Sequence, residues 1–199
     1  LGDWKKHGTE YYKCRFKTEA DIAKDEKGLM TSKEYLQRYS NFCEKFAEHF
    51  KAQKYAVNLI PKIKAKKDQM LNDKNISLSE LTYLDEAINT VIDCRRMLKY
   101  SYVFGYYLKK CQDIKLYEHN QYMLDVCTDR LHEMLEQNEL DNIINIDNYE
   151  KFNKALMAFR SRVVNSVSSI SSFKENLLKE FEGKMEKHID YDLLYGKKK

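Results

Sequence analysis

One proline and six glycines in 199 residues leave a chain few places to turn. Sheets need frequent tight turns, and turns draw on Gly and Pro, so this scarcity points to long helices with few connections. The apolar pattern agrees. Tyr35, Tyr39, Phe42, Phe46, Phe50, Leu59, Ile60 and Ile63 recur at helical spacing, and Thr31 with Glu34 forms a capping box ahead of them. Pro61 lies inside this first run, which extends to about Leu71. It has no N–H for the carbonyl of Val57, so a kink or break is expected near residues 57–60, where a straight helix would cost ~3 kcal/mol.

Three further helices follow the same logic. Residues 72–76 form a turn, and Ser77 with Glu80 is a second capping box. The helix it opens carries Leu81, Leu84, Ile88, Val91, Leu98 and Tyr102 on one stripe and runs to about Lys110. Its end, Tyr100-Ser-Tyr-Val-Phe-Gly-Tyr-Tyr-Leu-Lys-Lys110, is apolar all round, so burial on more than one face is expected there, with Gly105 at a close crossing. A third helix spans about 117–137, lined by Leu124, Thr128, Leu131 and Leu135. Residues 138–146 connect. Asp147 is expected to cap a last helix to about Gly183, striped by Phe152, Leu156, Phe159, Val163, Val167, Ile170, Leu177 and Phe181. The expected class is all-α, an antiparallel bundle of four to five long helices. The expected division is a short irregular tail, residues 1–17, followed by a helical domain, residues 18–199.

Composition excludes several functions. Net charge is only +4, from 35 basic and 31 acidic residues, with no concentrated basic stripe, so nucleic acid is not an expected partner. The densest basic run, Lys62 to Lys67, reads as a solvated helix face, with an acidic-partner patch as the lesser alternative. No window of about eighteen apolar residues exists to span a membrane. The cysteines are Cys14, Cys43, Cys94, Cys111 and Cys127, odd in number and without a CxxC, as suits a reducing compartment. Cys43, Cys94, Cys111 and Cys127 read as small core or boundary residues, and His49, His119 and His188 as surface or cap residues. Asp129-x-x-His132 occurs once, which is too little for a di-metal carboxylate centre.

The irregular start holds the one chemically suggestive pair. His7 and Cys14 lie seven positions apart in loop-like, aromatic-rich sequence. They are two of the four ligands that a structural zinc takes, an ordinary loop pair, or a Cys–His nucleophilic pair lacking any evident third group. Read as zinc ligands, they make residues 1–17 the tail of a zinc domain whose other two ligands lie upstream. The residues alone lead to a helical bundle joined to such a domain, with no active site of its own.

Two stretches go further. Asp3-Trp4-Lys-Lys-His7-Gly8-Thr-Glu-Tyr-Tyr-Lys-Cys14 and Leu98 to Lys110 resemble the Ariadne family of RING-between-RING ubiquitin ligases. The first is similar to the end of that family's second RING domain, and the second to a core helix of its Ariadne domain. Arg38-Tyr39, Cys43, His49, Cys94-Arg95, Glu118, Asn120 and Gln121 extend the similarity, which is weakest after residue 140. The resemblance implies that His7 and Cys14 are the last two zinc ligands of the second RING. It implies that the parent protein is an E3 ubiquitin transferase whose catalytic Cys lies upstream, so that this segment alone is inactive. It also implies a role for the helices: the Ariadne domain folds onto the second RING and restrains the catalytic Cys. The positions matching the family's contact residues are Tyr55, Ala56 and Asp129. Tyr55 and Asp129 keep the family's chemical type. Ala56 stands where the family has Glu, and Pro61 also departs from the pattern. Implied partners are the protein's own second RING domain, a ubiquitin-conjugating enzyme and ubiquitin through the parent. The implied location is the cytoplasm, with the nucleus as a further site. The alternatives are a docking module for a cullin-type ligase, which Lys62–Lys67 would serve, and a plain helical scaffold.

Overall fold

The computed structural model describes residues 32–109 and 114–195. Among them are six α-helices, four of them long: α1 Ser32–Lys74, α2 Thr82–Tyr106, α3 Ile114–Glu136, α4 Glu139–Ile144, α5 Tyr149–Glu180 and α6 Tyr191–Tyr195. The chain divides into two compact units, residues 1–41 and 42–199. The described part of the first is the opening of α1, and everything below concerns the second.

The all-α expectation holds, and cross-helix contacts give the directions. Lys67 near the end of α1 pairs with Asp85 at the start of α2, Gln53 and His49 in its middle meet Lys99 and Arg95, and Phe42 nearer its start meets Tyr106 at the end of α2, so the two helices run antiparallel. From Arg95 to Phe104 on α2, partners on α3 retreat from Asp129 to Tyr117, again antiparallel. The long helix α5 packs against both α2 and α3. One core unites them: Leu59 and Ile63 of α1, Leu84, Val91 and Leu98 of α2, Leu124 and Leu131 of α3, and Phe152, Phe159 and Val163 of α5.

Local chemistry sets the boundaries. After α1, Asn75 adopts φ 53°, a left-handed conformation that Asn tolerates, and the N–H of Ile76 reaches the carbonyl of Met70 at 3.4 Å. Ser77 and Glu80 form the expected box, the Glu80 carboxylate accepting from the Ser77 N–H at 3.1 Å and its hydroxyl at 3.0 Å. The start of α5 differs from expectation by one residue. Asn148 is the cap, its side chain accepting from the N–H of Lys151 at 2.9 Å. Asp147 and Asn148 are equally good caps, and the extended backbone at Asn148 (φ −72°, ψ 117°) decides between them. The expected 138–146 connection contains the short helix α4, whose Leu140, Ile143 and Ile144 are buried. Beyond α5, a π-helical turn at Phe181–Met185 leads to an antiparallel bridge between Leu108 and Ile189.

Several expectations about α1 and α2 are corrected. α1 passes through Pro61 without a break, because Pro61 and Val57 both lie on the exposed face, where water can serve the freed carbonyl. The buried face of α1 is not the aromatic stripe. Phe50 and Ile60 are exposed, and His49, Ala56, Leu59, Ile63, Lys67 and Met70 face the core. The aromatic end of α2 is only partly covered. Tyr100 and Val103 are exposed, and the fully buried positions concentrate earlier, from Leu81 to Leu98. Gly105 does mark a close approach, since a Cβ there would stand 3.1 Å from Cε1 of Phe42. Phe181 is exposed, with one ring contact at 4.3 Å to Phe104. Cys94 is buried as expected, Cys127 is half-buried, Cys43 is exposed, and Cys111 lies outside the described residues.

Candidate functional site

The polar residues that matter most lie on the inner faces of α1, α2 and α3. His49 was expected at the surface, yet it is 2% exposed. Its ring stacks on Tyr102 with centroids 5.3 Å apart. Arg95, on the core stripe of α2 between Val91 and Leu98, is buried with it, its side chain 5% exposed. A buried guanidinium needs acceptors on several sides. Arg95 Nη1 donates to Nδ1 of His49 at 3.3 Å and to Oδ1 of Asp125 at 3.5 Å, and Nη2 donates to Oδ1 of Asp129 at 2.5 Å. The cation therefore faces the lone pair on Nδ1, which places the imidazole proton on Nε2, 3.7 Å from Oδ2 of Asp125. Tyr102 donates to the same carboxylate at 3.5 Å.

Electrostatics follow from the geometry. Burial, and then the charge of Arg95, push His49 down to about 4, so it is neutral at pH 7. Burial pushes Asp125 up, and the neighbouring Asp129 adds to it, while Arg95 opposes. Tyr102 is raised by burial and then by the charge of Asp125.

The seam reaches the surface on α3. Asp125, Asp129, His132 and Glu136 fall at i, i+4, i+7 and i+11, one ridge of the helix. Asp129 holds Arg95 with one oxygen, yet its side chain is 64% exposed. Tyr55 of α1 is 41% exposed. Its hydroxyl donates to Oε1 of Glu136 at 2.5 Å, a bond that raises the Tyr55 pKa, and its ring leans on His132 at 5.6 Å. His132 is itself buried, and its Nε2 has no hydrogen-bond partner among the described residues.

The structure thus brings Tyr55 and Asp129, two of the sequence-predicted contact residues, to one surface through His132. Ala56 is elsewhere: it is 0% exposed and belongs to the core. His7 and Cys14 lie outside the described residues. Among the described residues no group of three or more His, Cys, Asp or Glu could hold a metal ion, so the zinc expectation rests on that pair alone. The basic run is not a uniformly solvated face. Lys66 pairs with Asp141 at 2.9 Å, and the buried Lys67 bonds to Asp85, which leaves Lys62 and Lys64 exposed. Arg95, Asp125, His132 and Glu136 were not singled out from sequence for this role. The available signal was Arg95, a cation on the apolar stripe of α2 between Val91 and Leu98.

No protein-family model matches the chain. Curated relatives do. The chain is 34% identical over 139 residues, 69% of its length, to E3 ubiquitin-protein ligase ariadne-1 of Drosophila melanogaster. It is 32% identical over 137 residues, again 69% of its length, to E3 ubiquitin-protein ligase ARIH1 of Homo sapiens. The chain belongs to the Ariadne family. A more distant match covers nearly all of it: 27% identity over 195 residues, 96% of the chain, to E3 ubiquitin-protein ligase dbl4 of Schizosaccharomyces pombe. The aligned regions make up 27%, 24% and 36% of these three proteins, so the chain spans about a quarter to a third of their length. None of the described helices is long and apolar enough to cross a membrane.

Proposed function

We infer that this chain is the regulatory part of a RING-between-RING E3 ubiquitin ligase, and that its helices restrain ubiquitin transfer by docking on the second RING domain. Residues 18–199 form the Ariadne domain in this reading. Residues 1–17 are the tail of the second RING, where His7 and Cys14 supply two zinc ligands. Ubiquitin and its conjugating enzyme are partners of the parent protein, not of the bundle by itself.

One observation carries the docking reading: Tyr55 and Asp129 stand exposed on neighbouring helices, each held by a hydrogen bond. Arg95 holds Asp129 at 2.5 Å, and Glu136 holds Tyr55 at 2.5 Å. A surface whose side chains are already immobilised loses little rotamer entropy on binding. The buried Arg95 orients the carboxylate that a docking domain meets, so contact and core are physically linked. Ala56, inside the core, supports the helix that presents Tyr55 and makes no contact of its own.

The test is ubiquitin discharge by the parent protein carrying Tyr55→Ala or Asp129→Ala, using a conjugating enzyme charged with ubiquitin. Faster discharge than wild type is expected from both, by roughly ten-fold for a well-packed contact of 1–2 kcal/mol. Unchanged or slower discharge from both would mean that the bundle recruits or supports the ligase instead of restraining it.

A further inference from the structure

Arg95 does more than neutralise Asp129. Its buried guanidinium is shared by three partners: Nη1 donates to His49 and Asp125, and Nη2 donates to Asp129. Nη1 carries two hydrogens, one for each of its acceptors, while Nε finds no partner among the described residues. The guanidinium is a rigid planar fork, so fixing one nitrogen aims the other. The nitrogen aimed here is Nη2, and its target is the exposed carboxylate of Asp129.

The two acceptors of Nη1 are not alike. Asp125 lies one turn before Asp129 on the same ridge of α3, so it attracts the cation toward that helix as Asp129 does. Two carboxylates on one ridge supply attraction, and either nitrogen of the fork can answer either of them. His49 approaches from another helix, α1, and it is 2% exposed. Burial, and then the charge of Arg95, push it down to about 4, so at pH 7 it neutralises nothing. What Nδ1 adds, at 3.3 Å, is a directional acceptor that only one Nη1 hydrogen can reach. The ring that carries this lone pair is held in turn by its stack on Tyr102, centroids 5.3 Å apart.

We propose that His49 is a positioning residue for docking: its Nδ1 sets the fork of Arg95 so that Nη2 presents Asp129 to the second RING domain. The proposal rests on the docking reading above and adds how that contact is kept in register from within the bundle. Helix α1 then serves docking twice, through Tyr55 at the surface and through His49 in the core.

The experiment uses the parent ligase and two variants that divide the histidine's properties. His49→Phe keeps a ring against Tyr102 and removes the acceptor. His49→Asn loses the ring and keeps an acceptor, because Oδ1 of Asn is bonded to Cγ just as Nδ1 of His is. Ubiquitin discharge is read well below the melting midpoint of each variant. It should rise about three-fold in His49→Phe, the scale of freeing one side chain that binding must then order, and return toward wild type in His49→Asn. A packing role predicts the opposite order, since Asn abandons the stack. Asp129→Ala supplies a second arm that does not depend on the Asn variant folding. In that background His49→Phe should add nothing, because the carboxylate it acts through is gone. If Asp129→Ala accelerates discharge while His49→Phe matches wild type, the positioning role is overturned and the docking reading stands. Acceleration by neither overturns both. Acceleration by His49→Phe that His49→Asn shares in full, or that persists on top of Asp129→Ala, assigns His49 to packing and overturns the proposal.

Discussion

The two sides of α3 are built on opposite principles. Toward α5 the contact belongs to an apolar seam, with Leu124, Leu131 and Leu135 of α3 in one core with Phe152, Leu156, Phe159 and Val163 of α5. Toward α1 and α2 it is a polar seam, with Asp125 and Asp129 meeting His49, Arg95 and Tyr102, and His132 and Glu136 meeting Tyr55. The apolar seam is non-directional. It needs only volume and water exclusion, and small shifts degrade it gradually. The polar seam is directional: the bonds of Arg95 to His49, Asp125 and Asp129 form together in one register only. A bundle with both can draw stability from one side and present a defined surface from the other.

Single truncations should break this contrast most visibly. Phe159→Ala in the apolar seam is expected to cost about 4 kcal/mol of unfolding free energy. Arg95→Ala is expected to cost about 3 kcal/mol, because it leaves the half-buried Asp125 and the buried His49 without their partner. Urea denaturation of residues 1–199 measures both. The sharper comparison replaces the whole polar group, His49→Leu with Arg95→Met and Asp125→Leu. Such a swap is expected to be neutral or stabilising, since burying the charges costs about as much as their pairing returns. A triple variant as unstable as Arg95→Ala would mean that the polar seam supplies net stability, contrary to its reading as an orienting device.

Acidification separates the seams next. His49 titrates at about 4 in the folded chain against 6.5 when unpaired and solvated. Between those values only the unfolded chain takes up the proton, so the stability linked to His49 is complete above pH 6.5 and is lost as pH falls toward 4. His132 is lowered too and acts in the same sense. Asp125 is raised, so the folded state takes up that proton first and offsets part of the loss at the acid end. The net expectation is a loss of roughly 2 kcal/mol between pH 7 and pH 4.5, flattened in His49→Gln. An equally steep profile in that variant would place the titration elsewhere.

These seams also explain what could be read from the chain. The stripes of α3 and α5 were legible because their buried residues are apolar and keep the helical period from Leu124 to Leu135 and from Phe152 to Leu177. On α1 the same period misled. The face that packs carries His49 and Lys67 among small and aliphatic residues, while the aromatics Phe46 and Phe50 sit to one side, beside Lys99 and Tyr100. Periodicity reads hydrophobicity, and a buried cation with its partners is invisible to it. Tyr55 and Asp129 came from family resemblance, and no spacing rule could add Glu136, whose partner is 81 positions away. Pro61 was misjudged for a related reason: its cost depends on which face of α1 it occupies, and that is known only once the core face is known.

The smallest effect tests how tightly the polar and apolar sides meet. Gly105 lies in the last turn of α2, where replacing Gly by Ala ordinarily gains about 0.5–1 kcal/mol in helix propensity. Here the new methyl would stand 3.1 Å from Cε1 of Phe42. That ring cannot retreat freely, because Tyr102 and Tyr106 meet it edge-on at 6.4 and 5.9 Å. Crowding should cancel the propensity gain, leaving Gly105→Ala within about 0.5 kcal/mol of wild type. In a Phe42→Leu background the crowding is relieved, and the same substitution should stabilise by about 1 kcal/mol. A double-mutant cycle read by urea midpoint isolates the difference. Equal effects in the two backgrounds would show that Phe42 does not press on Gly105.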